Sequence, residues 1–117
     1  MELGPNQERW MVALESGDYQ QGTGYLEANG EFCCLGVAAN LFLWDLRLAN
    51  YGNEYQYGDS VADAPKELVE LLKLRSSIGK NKEGSFSLTS MNDDEVPFNK
   101  IAATIRANPE DWFTESA

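Results

Sequence analysis

Cys33 and Cys34 are the only two cysteines of this 117-residue chain, they are adjacent, and the chain has no histidine to activate either. A thiolate nucleophile needs a lowered pKa, supplied by a helix N-terminus, a nearby cation or a histidine. The helix expected to begin near Leu35 offers the first of these, and no lysine or arginine lies close in sequence. Buried cysteine is otherwise a small apolar residue, so a reactive thiol and plain packing both remain open. Neighbouring side chains point apart, so a mutual disulfide would need a strained ring. Zinc would need about four ligands, and neither histidine nor a second cysteine pair is present. No metal site and no cofactor is expected.

The densest acidic cluster is Asn92-Asp93-Asp94-Glu95. It lacks the alternating ligands, central glycine and distal glutamate of an EF-hand, which leaves helix capping and favourable charge at a helix N-terminus as its simplest role. A richer group is Trp10, Tyr19, Gln20, Gln21 and Tyr25. Aromatic rings beside amide side chains can stack a base or sugar and read its polar edge, although the same rings also serve as core and hairpin packing. Gly22-Thr23-Gly24 is too short for a dinucleotide fingerprint, and there is no Walker loop. The ligand-binding candidates are therefore Trp10, Tyr19, Gln21, Tyr25, Cys34, Asn92 and Asp93, with Arg9, Arg47 and Lys100 as possible phosphate contacts. No catalytic residue is assigned.

The elements that must position these groups can be read from periodicity. Asn6 to Glu15 places Trp10, Ala13 and Leu14 on one helical face, and Gly17 suits a left-handed stop. Tyr19 to Leu26 reads as a strand, Asn29-Gly30 as a two-residue hairpin turn, and Glu31 to Cys34 as the returning strand. From Leu35 the spacing turns helical, with Val37, Ala38, Leu41 and Phe42 forming an apolar stripe. Tyr51 to Ser60 reads as loop or short edge strand. A third helix starts at Pro65, with Leu68, Val69, Leu71 and Leu72 inward. Ser85 to Leu88 alternates like a short strand, and Pro97 opens a fourth helix carrying Phe98, Ile101, Ala102 and Ile105. Trp112 and Phe113 are expected to fold back as a clasp. The fold class is α+β: one domain, residues 1–117, with about four helices packed around a small antiparallel sheet.

Composition narrows the function classes. A hydrophobic fraction of 43% and an aromatic fraction of 11% fit one globular domain. Nineteen acidic against nine basic residues give a net charge of -10, which repels phosphate backbones and argues against direct binding of nucleic acid. No apolar run reaches the roughly 20 residues that span a bilayer. Met1 to Pro5 lacks the regions of a signal peptide, so no membrane and a cytoplasmic location are expected. Trp44, Trp112 and Phe113 are apolar enough to support a homodimer.

Trp10-x-x-Ala13-Leu14-x-Ser16-Gly17-x-Tyr19-x-Gln21-Gly22, then Phe32-Cys33-Cys34-Leu35-Gly36-Val37, then Met91-Asn92-Asp93 and Phe98-x-x-Ile101-Ala102-x-x-Ile105 form a pattern running through nearly the whole chain. It resembles a family of short, uncharacterised proteins of tailed phages and prophages, in which Leu usually stands where this chain has Met91. The resemblance implies a phage accessory protein acting in the host cytoplasm and supplies no catalytic residue. The expected function is non-enzymatic binding of a small molecule, such as a nucleotide-type host immune signal, in a polar-aromatic pocket. The alternative is an acidic inhibitor that binds a host nucleic-acid-binding or defence protein; a thiol enzyme ranks third.

Overall fold

In the computed structural model, which describes residues 1–117, helix α1 (Pro5–Glu15) begins on a proline in its first turn and buries Gln7, Trp10, Met11 and Leu14. That spacing of three, one and three residues is one continuous helical stripe. The chain then lays down β1 (Gln20–Gln21), β2 (Glu27–Ala28) and β3 (Glu31–Phe32). Asn29 and Gly30 both have positive φ, 56° and 77°, as a type I′ turn between paired strands requires.

Helix α2 (Cys34–Phe42) follows without a linker, and every residue from Cys34 to Ala39 is buried. A helix apolar on all sides belongs at the centre of the molecule, and α2 does pack against α1, α3 (Lys66–Leu72) and α4 (Leu88–Asp93). Helix α5 (Phe98–Ala107) lies on α1 and α4, and the short α6 (Pro109–Trp112) leads Trp112 and Phe113 back into the core. No helix is long and apolar enough to cross a membrane.

Between α2 and α3, a 3-10 turn at Trp44–Leu46 delivers β4 (Arg47–Ala49), which pairs with β5 (Glu54–Tyr57). The five strands form one sheet in the order β1-β3-β2-β5-β4. Its β2, β5 and β4 strands are tied by a partly buried ion pair. Arg47 donates through Nε and Nη2 to the carboxylate of Glu27, and Tyr57 donates its hydroxyl to the same carboxylate at 2.6 Å. Asn40 of α2 donates in turn to the Tyr57 oxygen. The Arg47 guanidinium lies over the rings of Trp44 and Tyr55, 4.6 and 3.6 Å from their centroids, where cation–π attraction adds to its pairing.

The α+β class and the hairpin turn agree with the sequence reading; several details do not. There are six helices rather than four, because α4 and α6 are too short for a full apolar period to show. The sheet is mixed, since β1 runs parallel to β3. The hairpin joins β2 to β3, while residues 22 to 26 are irregular. The returning strand stops at Phe32: Cys33 is the N-cap of α2, its sulfur accepting the Gly36 N–H, and Cys34 is already helical. Ser85 to Leu88 forms no strand beyond a single bridge between Lys80 and Ser87. Ser87 instead caps α4 by accepting the Ser90 N–H. Its alternation with Leu88 reflects a cap followed by a buried helical residue.

Candidate functional site

Asn92 is fully buried on α4 and uses its amide in three directions. Its oxygen accepts the Cys34 N–H of α2 and the Gln21 amide of β1, each at 3.1 Å, and its nitrogen donates to the Gly22 carbonyl at 2.8 Å. Gln21 also donates to the Val96 carbonyl. The chain presents that carbonyl by turning through a left-handed conformation at Glu95. Trp10 donates from Nε1 to the Cys34 carbonyl, and the Cys34 thiol faces the Leu88 carbonyl. Four of the seven candidates, Trp10, Gln21, Cys34 and Asn92, are thus joined in one network that ties α1, α2, α4 and β1 together.

This corrects their expected role. Trp10, Cys34 and Asn92 have no exposed surface, and their polar atoms are already engaged, so none of the three reaches a ligand. Asn92 only backs the hollow on the network's solvent side. The Asn92-Asp93 pair ends α4 and does not cap the last helix. Tyr19 stands apart from the network. Its ring meets Phe32 edge-on at 5.2 Å, its hydroxyl faces Asn40, and it lines a separate open groove with Arg9, Val12 and Leu41.

The solvent side of the network is a hollow of about 150 Å³ bounded by Gly24, Tyr25, Cys33, Ala62, Asp63, Thr89, Asn92 and Asp93. It brings together three predicted residues, Tyr25, Asn92 and Asp93. Sequence reasoning missed Asp63 and Thr89, which arrive from segments with no local motif. Irregular segment 22–26 forms one wall, and adjoining hollows beyond it are lined by Glu31 and Glu95. None of Glu31, Asp63, Asp93 and Glu95 is in an ion pair. No lysine or arginine lines these three hollows. The expected phosphate contacts lie elsewhere: Arg9 sits over Phe42, Arg47 is held by Glu27, and Lys100 is on the exposed side of α5.

The thiols are poorly suited to nucleophilic work. Burial pushes Cys33 up to about 11, against the lowering effect of N–H groups at the start of α2, and Cys34 is driven well above its ordinary value by the same cause. Both are therefore protonated at neutral pH. No group of three or more His, Cys, Asp or Glu side chains is arranged to hold a metal ion.

A family model matches residues 5–109, from the first turn of α1 to the start of α6. The chain belongs to the DUF8296 family, a domain of unknown function. No curated protein and no solved structure matches it. The DUF8296 match takes in the whole Asn92 network and every residue lining the acidic hollow.

Proposed function

We propose that this protein is a non-enzymatic binding protein that holds a small molecule in the hollow beneath Tyr25. The observation that carries this reading is the lining itself: Tyr25, Thr89 and two carboxylates in no ion pair, Asp63 and Asp93, border a recess whose floor is fixed by a buried network. A rigid floor with a few convergent polar groups is how ligand sites are generally built. Asp63 and Asp93 favour a compact cationic or amine-bearing group, and a nucleotide would have to enter by its base or sugar end, with its phosphates pointing away from the carboxylates. Action as a phage accessory protein against a host immune signal is part of the same proposal and rests on the motif resemblance.

Backbone amide NMR tests it. On titration with nucleotides and, separately, with small diamines, shifts should cluster at Gly24, Tyr25, Asp63, Thr89 and Asp93 and vanish in Asp63→Asn/Asp93→Asn. Silence of these amides to both compound classes would sink the reading. A second reading, an acidic surface engaging a basic host protein, is favoured by the run of unpaired carboxylates Glu31, Asp63, Asp93 and Glu95 around loop 22–26. It expects a pulled-down partner whose affinity falls steeply with salt.

A further inference from the structure

Strand β4 is one edge of the sheet, and the segment around it holds exposed apolar side chains: Trp44 and Leu48 are each 58% exposed and Tyr51 is 87% exposed. The two other residues that made a dimer plausible from sequence, Trp112 and Phe113, are core residues. An open edge with apolar flanks is a template for strand addition that proteins normally blunt with charge. Here residues 46–53 carry only one charged group, Arg47, in a chain with 19 carboxylates, and that group is already paired with Glu27.

The hydrogen-bond pattern of the edge says what would fit it. Leu46 accepts from Gly58, Leu48 pairs with Gln56, and Asn50 donates to Glu54. The even-numbered residues therefore face β5. The carbonyl of Arg47, both backbone groups of Ala49 and the N–H of Tyr51 face outward. The two remaining odd-numbered groups are satisfied internally: the Arg47 N–H by the Trp44 carbonyl, and the Tyr51 carbonyl by the Glu54 N–H.

We propose that a second copy of this chain docks on β4 as an antiparallel strand related by a two-fold axis through Ala49. In that register the two Ala49 residues exchange both their bonds, and the Tyr51 N–H of each copy meets the Arg47 carbonyl of the other. The four outward groups of each copy are all used. The two groups this register would leave over are the ones the chain already satisfies. An isologous contact requires such self-complementarity; a foreign extended strand could bond the same four groups but would leave its own two end groups unpaired. The register also sets each Tyr51 opposite Arg47 of the other copy, and it joins two ten-fold negative molecules along a segment, residues 46–53, that carries no carboxylate.

Sedimentation equilibrium over a concentration series, with amide hydrogen exchange on the same samples, tests this. The wild-type chain should show a concentration-dependent mass rising to twice that of one chain. Protection of the Ala49 and Tyr51 amides should rise with it, and that of Leu48, already bonded within the sheet, should not. Ala49→Pro removes the central donor, and Ala49→Asp sets two carboxylates directly opposite each other on the axis. Each should raise the dimer dissociation constant about tenfold or more. Ala49 is exposed, so its aspartate variant keeps the core and serves even if the proline variant misfolds. A wild-type chain that stays monomeric at every concentration, leaving the edge to a foreign strand, overturns the proposal. So does a dimer that persists in Ala49→Asp or forms without protecting Ala49.

Discussion

A buried amide that makes several bonds across a core contributes more through what its loss strands than through the bonds themselves. Removing the Asn92 side chain leaves the Cys34 N–H, the Gly22 carbonyl and part of the Gln21 amide without partners. Each unsatisfied buried group costs about 1–3 kcal/mol. Asn92→Ala should therefore lose about 3 kcal/mol or more, measured by urea denaturation, while Asp93→Ala on the exposed neighbouring position should stay within about 0.5 kcal/mol. The contrast separates the structural half of the motif from the half that faces the hollow. The same scale decides the thiols. With Cys33 raised to about 11 by burial and Cys34 driven well above its ordinary value by the same cause, neither is a thiolate near pH 7. Alkylation by iodoacetamide should be slow in the native protein and fast in denaturant, and rapid native labelling at neutral pH would reopen the thiol-enzyme reading.

At the scale of elements, the way α2 meets the sheet is set by one glycine. A Cβ on Gly36 would lie 1.7 Å from the Leu26 carbonyl oxygen. In most helices Gly to Ala adds about 1 kcal/mol of stability; here Gly36→Ala should instead cost about 2 kcal/mol or more, because backbone has to move. The Glu27–Arg47–Tyr57 cluster makes a pH prediction. Burial alone would raise the Glu27 carboxyl, but hydrogen bonds from Arg47 and Tyr57, with the Arg47 charge, outweigh it and hold it below the usual range. A carboxyl with a lowered folded pKa stabilises above its unfolded value, near pH 4.3, and that contribution is lost as pH falls through the folded pKa. Tyr57 is shifted upward, by burial first and then by Glu27, so its contribution fades as pH rises past the ordinary tyrosine value. Denaturation free energies from pH 7 down to 3 should fall more steeply for the wild type than for Glu27→Gln.

These elements also show what could be read in advance. The Asn29-Gly30 turn and the helices near Asn6 and Leu35 are local patterns, and each formed. The buried faces shifted, with Gln7 and Met11 in place of Ala13 on α1, and a continuous run from Cys34 to Ala39 in place of a stripe reaching Leu41 and Phe42 on α2. Strands of two residues carry no periodicity, and the parallel pairing of β1 with β3 depends on contacts that no local window contains. The candidate site divides the same way. Tyr25, Asn92 and Asp93 stood out by type and cluster, whereas Asp63 and Thr89 join them only through the fold. Trp10 was legible as aromatic but not as the donor to Cys34, since that bond closes across 24 residues.

The whole molecule is closed by its last residues. The Ala117 carbonyl oxygen accepts the N–H groups of Asn6 and Gln7, which α1 cannot satisfy internally. The buried Gln7 amide donates to the Glu115 and Leu72 carbonyls, and Ser116 donates to the Glu2 carbonyl. Gly4 leaves the room this requires, for a Cβ there would meet Ala117 backbone at 2.3 Å. Both ends of the chain are thus anchored on α3 and on each other, beside the Trp10–Phe113 contact. Deleting Glu115 to Ala117 removes no core side chain, so a view of stability based on apolar burial alone expects almost no change. The hydrogen-bond account expects a loss of about 2 kcal/mol, because the first turn of α1 and the Gln7 amide lose partners together. For a domain of this size that is a fall in Tm of about 8 °C. Calorimetry of the truncated chain measures the fall, and hydrogen exchange should locate it, with Asn6 and Gln7 losing protection while the α2 amides at the centre keep theirs.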